Sequence, residues 1–307
     1  MKKSLEGRVA VVTGGGGGIG GEVSKWLAKE GVAVVVNDVG SDLTGSGFSS
    51  TPADRIVSEI IGNGGDAVAN YDSVAQPDGA KRIVNAAMGM FGRLDIVCHA
   101  AGIVRDRMVF NMLEEEWDDV INVHLYGALN IVAEAVPIMK SQSYGRIILF
   151  SSVSALGNLG QCNYSAAKGG QIGIVQGLAD ELKGDNITIN AVFPGADTRM
   201  TEGMPNTARA YIGQWGVSAE SSDAQGIRSS VRNAPKVAYL CTEAAGNITG
   251  QVIGVFGPPM TVYSRRVLMR KLHKSNDWQF DDLDFAIGSS LNLDILESRL
   301  GSKHEQR

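Results

Sequence analysis

The stretch that most constrains the fold lies near the start of the chain, where an apolar run leads through glycines into an amphipathic segment. Residues 8–13 (RVAVVT) are rich in β-branched side chains and predict a buried strand. GGGGGIGG follows, and then Val23, Trp26 and Leu27 recur at helical spacing. A strand, a glycine turn and a helix in this order bring free helix N–H groups close to a pyrophosphate. A glycine cluster alone also fits a flexible loop, so the next element matters.

That next element is AVVVNDVG, a second buried strand that ends at Asp38. A carboxylate at this place can accept hydrogen bonds from the adenosine ribose hydroxyls and would repel a 2′-phosphate. The sequence therefore favours NAD over NADP as the cofactor. The alternative is an aspartate that only initiates a turn before Gly40. Residues 40–52 (GSDLTGSGFSSTP) are rich in Gly, Ser and Thr and predict a surface loop or insertion.

Composition limits the classes of partner. The 307 residues can form one large α/β domain, and the formal charge of −5 gives no electrostatic footprint for nucleic acid or an anionic membrane. We expect small molecules or sister subunits as partners. No apolar run is long enough to span a bilayer, and the histidines are too scattered for a metal site. Three separated cysteines, without a CxxC pair or a secretory segment, predict a reduced, cytoplasmic location.

The chemistry is predicted to lie between residues 151 and 168. Tyr164 and Lys168 are four positions apart in a helical pattern, so the phenol and the ammonium share one face. An adjacent positive charge favours the phenolate and makes the tyrosine a usable proton carrier for a carbinol or carbonyl. Ser151 ends an apolar run, and a Gly-rich turn could fold its hydroxyl back to hold the substrate oxygen. The alternative is that the tyrosine and the lysine only belong to an ordinary amphipathic helix and that the serine only ends a strand.

These motifs, in this order, resemble the short-chain dehydrogenase/reductase family. TGGGGGIG fits its TGxxxGxG pattern, and the serine, tyrosine and lysine match its catalytic set. The resemblance implies an α/β fold: a Rossmann-type doubly wound parallel sheet, as a single NAD-binding domain over residues 1–257 with a C-terminal extension at 258–307. It places the cofactor contacts at Gly14, Gly18, Ile19, Gly20, Asp38, Asp72, Ser73, Ala101, Gly102, Tyr164, Lys168, Pro194, Gly195 and Thr198.

The chain departs from the family pattern in the predicted core. Residues 99–102 read HAAG where the family has NNAG, which keeps the close backbone approach but changes the polar group that braces the sheet. His99 either forms hydrogen bonds in its place or is a satisfied core histidine. His124 stands where the family has an Asn that links the lysine to a water chain. Its ring offers a donor and an acceptor, so we expect it to support the proton relay.

Two regions bear on the substrate. The resemblance implies that residues 201–232 form a lid, and the alternative is an ordinary exposed loop. The lid has apolar side chains that predict a large, mostly apolar substrate; they are Met204, Tyr211, Ile212 and Trp215. The extension packs at a subunit interface or near the substrate mouth, or it is a partly disordered charged terminus. Its basic run from Arg265 to Lys274 could hold CoA phosphates or be a solvated helix face.

A narrower likeness, in VNDVGSDLTGSG, VHLYG and NLGQCNYSAAK, is to the dehydrogenase domains of the type 2 peroxisomal multifunctional β-oxidation enzymes. Those domains act on 3-hydroxyacyl-CoA thioesters and hydroxysteroids, and they share the histidine at position 124. We therefore predict an NAD-dependent enzyme, a homodimer or homotetramer, that interconverts a secondary alcohol and a ketone on a bulky apolar substrate such as a CoA thioester. The alternative hypothesis is a catalytically weak nucleotide-sensing or scaffolding paralogue of the same fold.

Overall fold

The structure is a computed structural model that describes residues 4–196, 229–265, 268, 271–275 and 277–286. Its contacts divide the chain into two units, residues 1–263 and residues 264–307. The first unit contains the sheet and the site, and it extends past the predicted domain boundary at residue 257.

The first unit is built on an eight-stranded sheet with the order β3-β2-β1-β4-β5-β6-β7-β8. Neighbouring strands are parallel except for β7 and β8, which pair antiparallel. The strands are β1 Val9–Thr13, β2 Ala33–Asn37, β3 Ala67–Asn70, β4 Ile96–His99, β5 Gly145–Phe150, β6 Ile187–Phe193, β7 Val252–Gly254 and β8 Thr261–Tyr263. This arrangement confirms the predicted doubly wound fold, and β8 adds an edge strand that the sequence pattern had assigned to the extension.

Helices cover both faces of the sheet. They are α1 Gly18–Lys29, α2 Thr51–Gly62, α3 Pro77–Phe91, α4 Glu114–Ile121, α5 Gly127–Gln142, α6 Cys162–Glu181 and α7 Ala234–Leu240. Helices α1, α2 and α7 pack on one face, with Val12 and Leu27 in a shared core cluster. Helices α3, α5 and α6 pack on the other face, where Val11 and Ile131 belong to a second cluster. Because β1 is buried on both faces, its sequence is an unbroken apolar run.

The strand order places a crevice in the middle of the sheet. β1 pairs with β2 on one side and with β4 on the other, so the winding direction reverses between β1 and β4. At such a reversal the loops leave the carboxyl ends of the two strands in opposite directions. The site is therefore expected there, after residues 13 and 99.

A continuous helical segment over residues 114–142 joins α4, a π-helical turn at Asn122–Tyr126 and α5. By length and composition alone it could cross a membrane, which corrects the expectation that no apolar run is long enough. Its inner side chains Ile131, Ala135 and Met139 are fully buried in the core shared with α3. The packing of these side chains against the sheet and α3 therefore explains why the inner face of this helix is apolar.

In the second unit, the described residues include the short helix α8, Phe280–Ala286. Asp281 and Asp282 lie in its first turn, and the ammonium of Lys274 pairs with Asp282. The negative charges thus occupy the helix end that favours them.

Candidate active site

The carboxyl ends of the central strands open into a cavity of about 360 Å³. The structure brings most of the predicted site residues to its lining: Gly14, Gly18, Ile19, Gly20, Asp38, Asp72, Ser73, Ala101, Gly102, His124, Ser151, Tyr164, Lys168 and Pro194. Gly195 adjoins this lining in sequence. Thr198 and the four predicted lid side chains, Met204, Tyr211, Ile212 and Trp215, lie outside the described residues.

The glycine turn after β1 leaves space that any side chain would fill. Gly14 has a φ of 66°, and a Cβ built there would lie 2.7 Å from the backbone nitrogen of Ala101. A Cβ at Gly20 would lie 2.2 Å from the carbonyl oxygen of Gly14. The first turn of α1 lines the cavity at Gly18 and Ile19, and a helix N-terminus attracts a pyrophosphate. The residues present therefore fit a dinucleotide.

Asp38 follows β2 directly, and two backbone N–H groups hold its carboxylate. Gly16 donates to Oδ2 at 3.0 Å, and Gly40 donates to Oδ1 at 2.8 Å. Asp38 lines the cavity, where a carboxylate can accept from ribose hydroxyls. Arg55, from α2, reaches the carbonyl oxygen of Gly16 at 3.3 Å. The carboxylate is thus fixed in the position on which the predicted NAD preference depends.

An amide network connects the ends of β2 and β3, and the motifs did not predict it. Nδ2 of Asn37 donates to Oδ1 of Asn70 at 2.8 Å and to the carbonyl oxygen of Asp72 at 2.9 Å. The Asp72 carboxylate accepts from Asn70 Nδ2 at 2.9 Å and pairs with Arg82 Nε at 2.6 Å. Asp72, the predicted adenine contact, therefore already has two partners. The one signal in the sequence is a buried Asn at the end of an apolar strand.

Residues 39–49, here called the strap, run along the cofactor side of the cavity. Val39, Asp42, Leu43 and Gly45 line the cavity. The strap is tied to the segment after β4: Val104 N donates to the Leu43 carbonyl at 2.9 Å, and Arg105 Nε donates to the Thr44 carbonyl at 2.8 Å. The segment predicted as a surface insertion is therefore attached to the site, because two of its backbone carbonyl groups accept hydrogen bonds from the segment after β4.

The structure separates the two serines at the end of β5. Ser151, the predicted catalytic serine, is 2% exposed, and its hydroxyl donates to the backbone carbonyl of Lys168 at 2.8 Å. It lines the cavity together with Tyr164 and Lys168. The oxygen of Ser152, the next residue, accepts from the backbone N–H of Ser154 at 3.1 Å. The role of Ser151 in holding the substrate oxygen stays a prediction.

Tyr164 and Lys168 lie one turn apart on α6, as predicted, with the ammonium nitrogen 5.4 Å from the centre of the phenol ring. Burial raises the pKa of Tyr164 to about 12, and the hydroxyl of Ser152 opposes this shift. Burial lowers the pKa of Lys168 to about 7, and its amine donates to the carbonyl of Phe150. In this state burial outweighs the expected effect of the ammonium on the phenol.

His124 is held in the π-helical turn beside the phenol. Its Nε2 lies 3.0 Å from the backbone nitrogen of Ile103 and 2.8 Å from the carbonyl oxygen of that residue. Its ring stands edge-on to the ring of Tyr164, with 5.0 Å between centroids. Burial, and then the charge of Lys168, lower its pKa well below the usual value, so the ring is neutral. Gln171 Nε2 donates to the His124 carbonyl at 2.8 Å. The relay role of His124 stays a prediction.

His99 braces the centre of the sheet, which is one of the two roles considered for it. Its Nδ1 lies 2.9 Å from the hydroxyl oxygen of Thr13, so it joins β4 to β1. Burial, and then the charge of Lys168, lower its pKa to about 3, so it is neutral. Ala101 N donates to the same hydroxyl oxygen at 3.4 Å, which holds the cavity wall.

The segment after β6 closes the cavity at Pro194. Asn233 clamps the next residue: its Oδ1 accepts from Gly195 N at 3.3 Å, and its Nδ2 donates to the Gly195 carbonyl at 3.1 Å. A Cβ at Gly195 would lie 2.1 Å from the ring of Phe256, so only glycine fits. Within the described ranges, no group of His, Cys, Asp and Glu side chains could hold a metal ion.

A doubly wound sheet with a glycine cradle at its reversal point is the architecture of nicotinamide-dinucleotide oxidoreductases. Within that class, the chain belongs to the short-chain dehydrogenase/reductase family, because the family model described as short chain dehydrogenase matches residues 8–208. The family resemblance seen in the sequence is thus confirmed.

Three known proteins are similar to this chain in sequence or in structure. A short-chain type dehydrogenase/reductase of Mycobacterium tuberculosis is 44% identical over 81% of this chain and 83% of its own length. The peroxisomal multifunctional enzyme type 2 of Mus musculus is 46% identical over 64% of this chain, a match that spans 27% of that longer protein. The crystal structure of a short chain dehydrogenase from Mycobacterium avium superimposes with a TM-score of 0.80 at 34% identity, covering 94% of this chain and 95% of that one. The narrower likeness predicted from the sequence is confirmed.

Proposed function

We propose that this protein is an NAD-dependent enzyme that interconverts a secondary alcohol and a ketone on a bulky, mostly apolar substrate. The observation that carries the proposal is that Ser151, Tyr164 and Lys168 line one cavity, with the buried amine of Lys168 5.4 Å from the centre of the phenol ring. A phenol, a hydroxyl and an amine that share one end of a dinucleotide-sized cleft suit general acid/base chemistry on a carbinol.

Each of these side chains has one task in alcohol oxidation. Tyr164 takes the proton of the substrate hydroxyl. Ser151, which lines the same cavity, holds the substrate oxygen beside the phenol. Lys168, when protonated, stabilises the phenolate. A bound nicotinamide dinucleotide supplies the hydride acceptor.

The choice of NAD rests on Asp38. Its carboxylate is held by Gly16 and Gly40 at the end of β2, and a fixed negative charge there disfavours a 2′-phosphate. Arg55 is the cation near this position, and it already contacts the carbonyl of Gly16. We expect NADP to bind more weakly than NAD.

The substrate class rests on two supports. The similar enzyme of Mus musculus is named as a peroxisomal multifunctional enzyme, and the predicted lid, which is otherwise polar, has four large apolar side chains. The segments after β4 and β5 also expose apolar side chains at Met108, Phe110, Leu156 and Leu159. A long acyl chain or a steroid gains about 0.8 kcal/mol for each methylene that it buries on such a surface.

The test is the formation of NADH from a panel of secondary alcohols. A 3-hydroxyacyl-CoA or a hydroxysteroid should have a higher kcat/KM than a sugar alcohol or a short alkanol, and NADP should replace NAD poorly. A preference for short polar alcohols would refute the substrate class. Tight dinucleotide binding without turnover of any alcohol would favour the nucleotide-sensing or scaffolding alternative.

We also propose that the protein forms a homodimer or homotetramer through the segment 114–142. Large apolar side chains remain exposed on its outer face: Trp117 is 37%, Tyr126 52% and Leu129 47% exposed. A second copy of the chain would remove this area from water.

A further inference from the structure

Asp106, in the segment after β4 that lies beside the start of α6, is a carboxylate that has no cationic partner among the described residues. Its neighbours in sequence are arginines, but both pair with α4. Arg105 Nη2 lies 2.8 Å from Asp119 Oδ2. Arg107 contacts the two carboxylate oxygens of Glu116, at 2.7 and 2.6 Å. The positive charges closest in sequence therefore pair with α4, and within the described part of the chain the charge of Asp106 has no cation beside it.

A neutral amide fixes this carboxylate near the phenol. Gln161 Nε2 donates to Asp106 Oδ2 at 2.9 Å, and Gln161 directly precedes α6, which carries Tyr164. The segments after β4 and β5 lie side by side, because Arg107 N donates to the Gly160 carbonyl at 2.8 Å. The residue as a whole is exposed, yet partial burial of its carboxyl raises the pKa of Asp106. Its charge adds to burial in raising the pKa of Tyr164, so the two groups sense each other.

We propose that Asp106 determines specificity by excluding substrates that carry a carboxylate beside the carbinol, so that the enzyme selects neutral thioesters or ketones. The inference rests on the proposed function and refines its substrate class. A free 3-hydroxy acid has its carboxylate one methylene away from the carbinol carbon. The corresponding thioester is uncharged there, and in an acyl-CoA the phosphates lie at the far end of the pantetheine arm.

The size of the effect follows from Coulomb's law. In this proposal the carboxylate of a free acid, whose carbinol oxygen is at Tyr164, is on the side of the phenol where Asp106 lies. Two like charges that approach each other in a partly desolvated site repel strongly enough to reduce kcat/KM roughly tenfold to a hundredfold. A neutral carbonyl group escapes this penalty.

The experiment compares two probes that differ in this charge, 3-hydroxydecanoate and its N-acetylcysteamine thioester. Asp106→Asn removes the charge and keeps an amide oxygen that can accept from Gln161. With the variant, kcat/KM for the free acid should rise roughly tenfold or more, while kcat/KM for the thioester changes less than about threefold. Asp118→Asn is the matched control, because it removes the same charge from an exposed position on α4.

Equal changes for both probes in Asp106→Asn would overturn the inference, and so would the same selective gain in Asp118→Asn. A parent protein that turns over neither probe would contradict the proposed function instead. In that case calorimetric binding of the same two compounds reads the charge effect directly. Asp106→Asn should then tighten binding of the acid alone, and failure to do so would overturn the role of Asp106.

Discussion

At the scale of single residues, the adjacent Ser151 and Ser152 form different hydrogen bonds. Ser151 donates to the carbonyl of Lys168 and thereby ties β5 to α6. Ser152, the next residue, accepts from the backbone N–H of Ser154 at 3.1 Å. The spacing of the motif could not separate them, because successive residues after a strand differ by a rotation that the turn sets. The tyrosine and lysine were predictable, since their spacing on a helix is fixed by geometry.

The two serines lead to opposite expectations. Ser151→Ala should reduce kcat roughly 10²- to 10³-fold, as loss of a hydrogen-bond donor to the reacting oxygen does in other enzymes. It should also lower the Tm, because it leaves a buried carbonyl without its donor. Ser152→Ala should keep most activity, because the oxygen of Ser152 accepts from the N–H of Ser154 while Ser151 lines the cavity. Steady-state kinetics and thermal unfolding of both variants check this, and loss of turnover in Ser152→Ala alone would move the role to Ser152.

Lys168 predicts a dependence of stability on pH in the protein without cofactor. Burial lowers its pKa from 10.5 to about 7, so from pH 7 to 10.5 the unfolded state binds the proton that the native state has released. Stability therefore increases through this interval, and the cost of charging the buried amine is fully present below pH 7. That cost is at most about 5 kcal/mol.

Lys168→Met removes this cost. Relative to the parent, the variant should gain most in the free energy of unfolding below pH 7, and the gain should shrink as the pH rises toward 10.5. Urea unfolding at several pH values measures the difference. A difference that stays constant with pH would show that the native amine is not perturbed.

At the scale of elements, the strands and helices of the nucleotide-binding half followed from patterns, whereas the contacts of the loops did not. The glycine turn was predictable, because the sequence shows directly which residues lack a Cβ. The strap was predicted only as a surface loop, since its ties to Val104 and Arg105 are long-range hydrogen bonds without periodicity.

The strap gives a prediction for the cofactor. Arg105→Met removes the donor to the Thr44 carbonyl and should speed NADH dissociation roughly fivefold to tenfold, the worth of about one hydrogen bond. Arg107→Met is the control, because Arg107 pairs with Glu116 and not with the strap. Stopped-flow fluorescence of bound NADH measures both rates. Equal rates in the two variants would mean that the strap does not retain the cofactor.

At the scale of the whole molecule, the strand order follows from alternating strands and helices, but the edge of the sheet does not. Strand β8 is short, mostly exposed and antiparallel, so its sequence lacks the apolar run that marks the inner strands. Likewise, an apolar side chain that faces a partner cannot be told from one that faces the core by composition alone. The segment 114–142 contains both kinds.

Leu129→Glu tests the proposed association of subunits. A charge at this exposed apolar position should shift the protein toward monomer in analytical ultracentrifugation, because burying an unpaired carboxylate costs several kcal/mol. Met90→Glu is the control, since Met90 is 62% exposed on α3, outside the proposed interface. An unchanged sedimentation profile in Leu129→Glu would exclude this face.

The short segment after β4 has a consequence for the order of events in turnover. Val104 and Arg105 hold the strap on the dinucleotide side, while Arg107 holds the chain next to Gly160 on the alcohol side. A dinucleotide that orders the strap therefore also orders the segment after β4, against which the alcohol binds. We therefore expect a compulsory-order mechanism in which the dinucleotide enters first and leaves last. In product-inhibition experiments, NADH should compete with NAD, whereas the ketone should not.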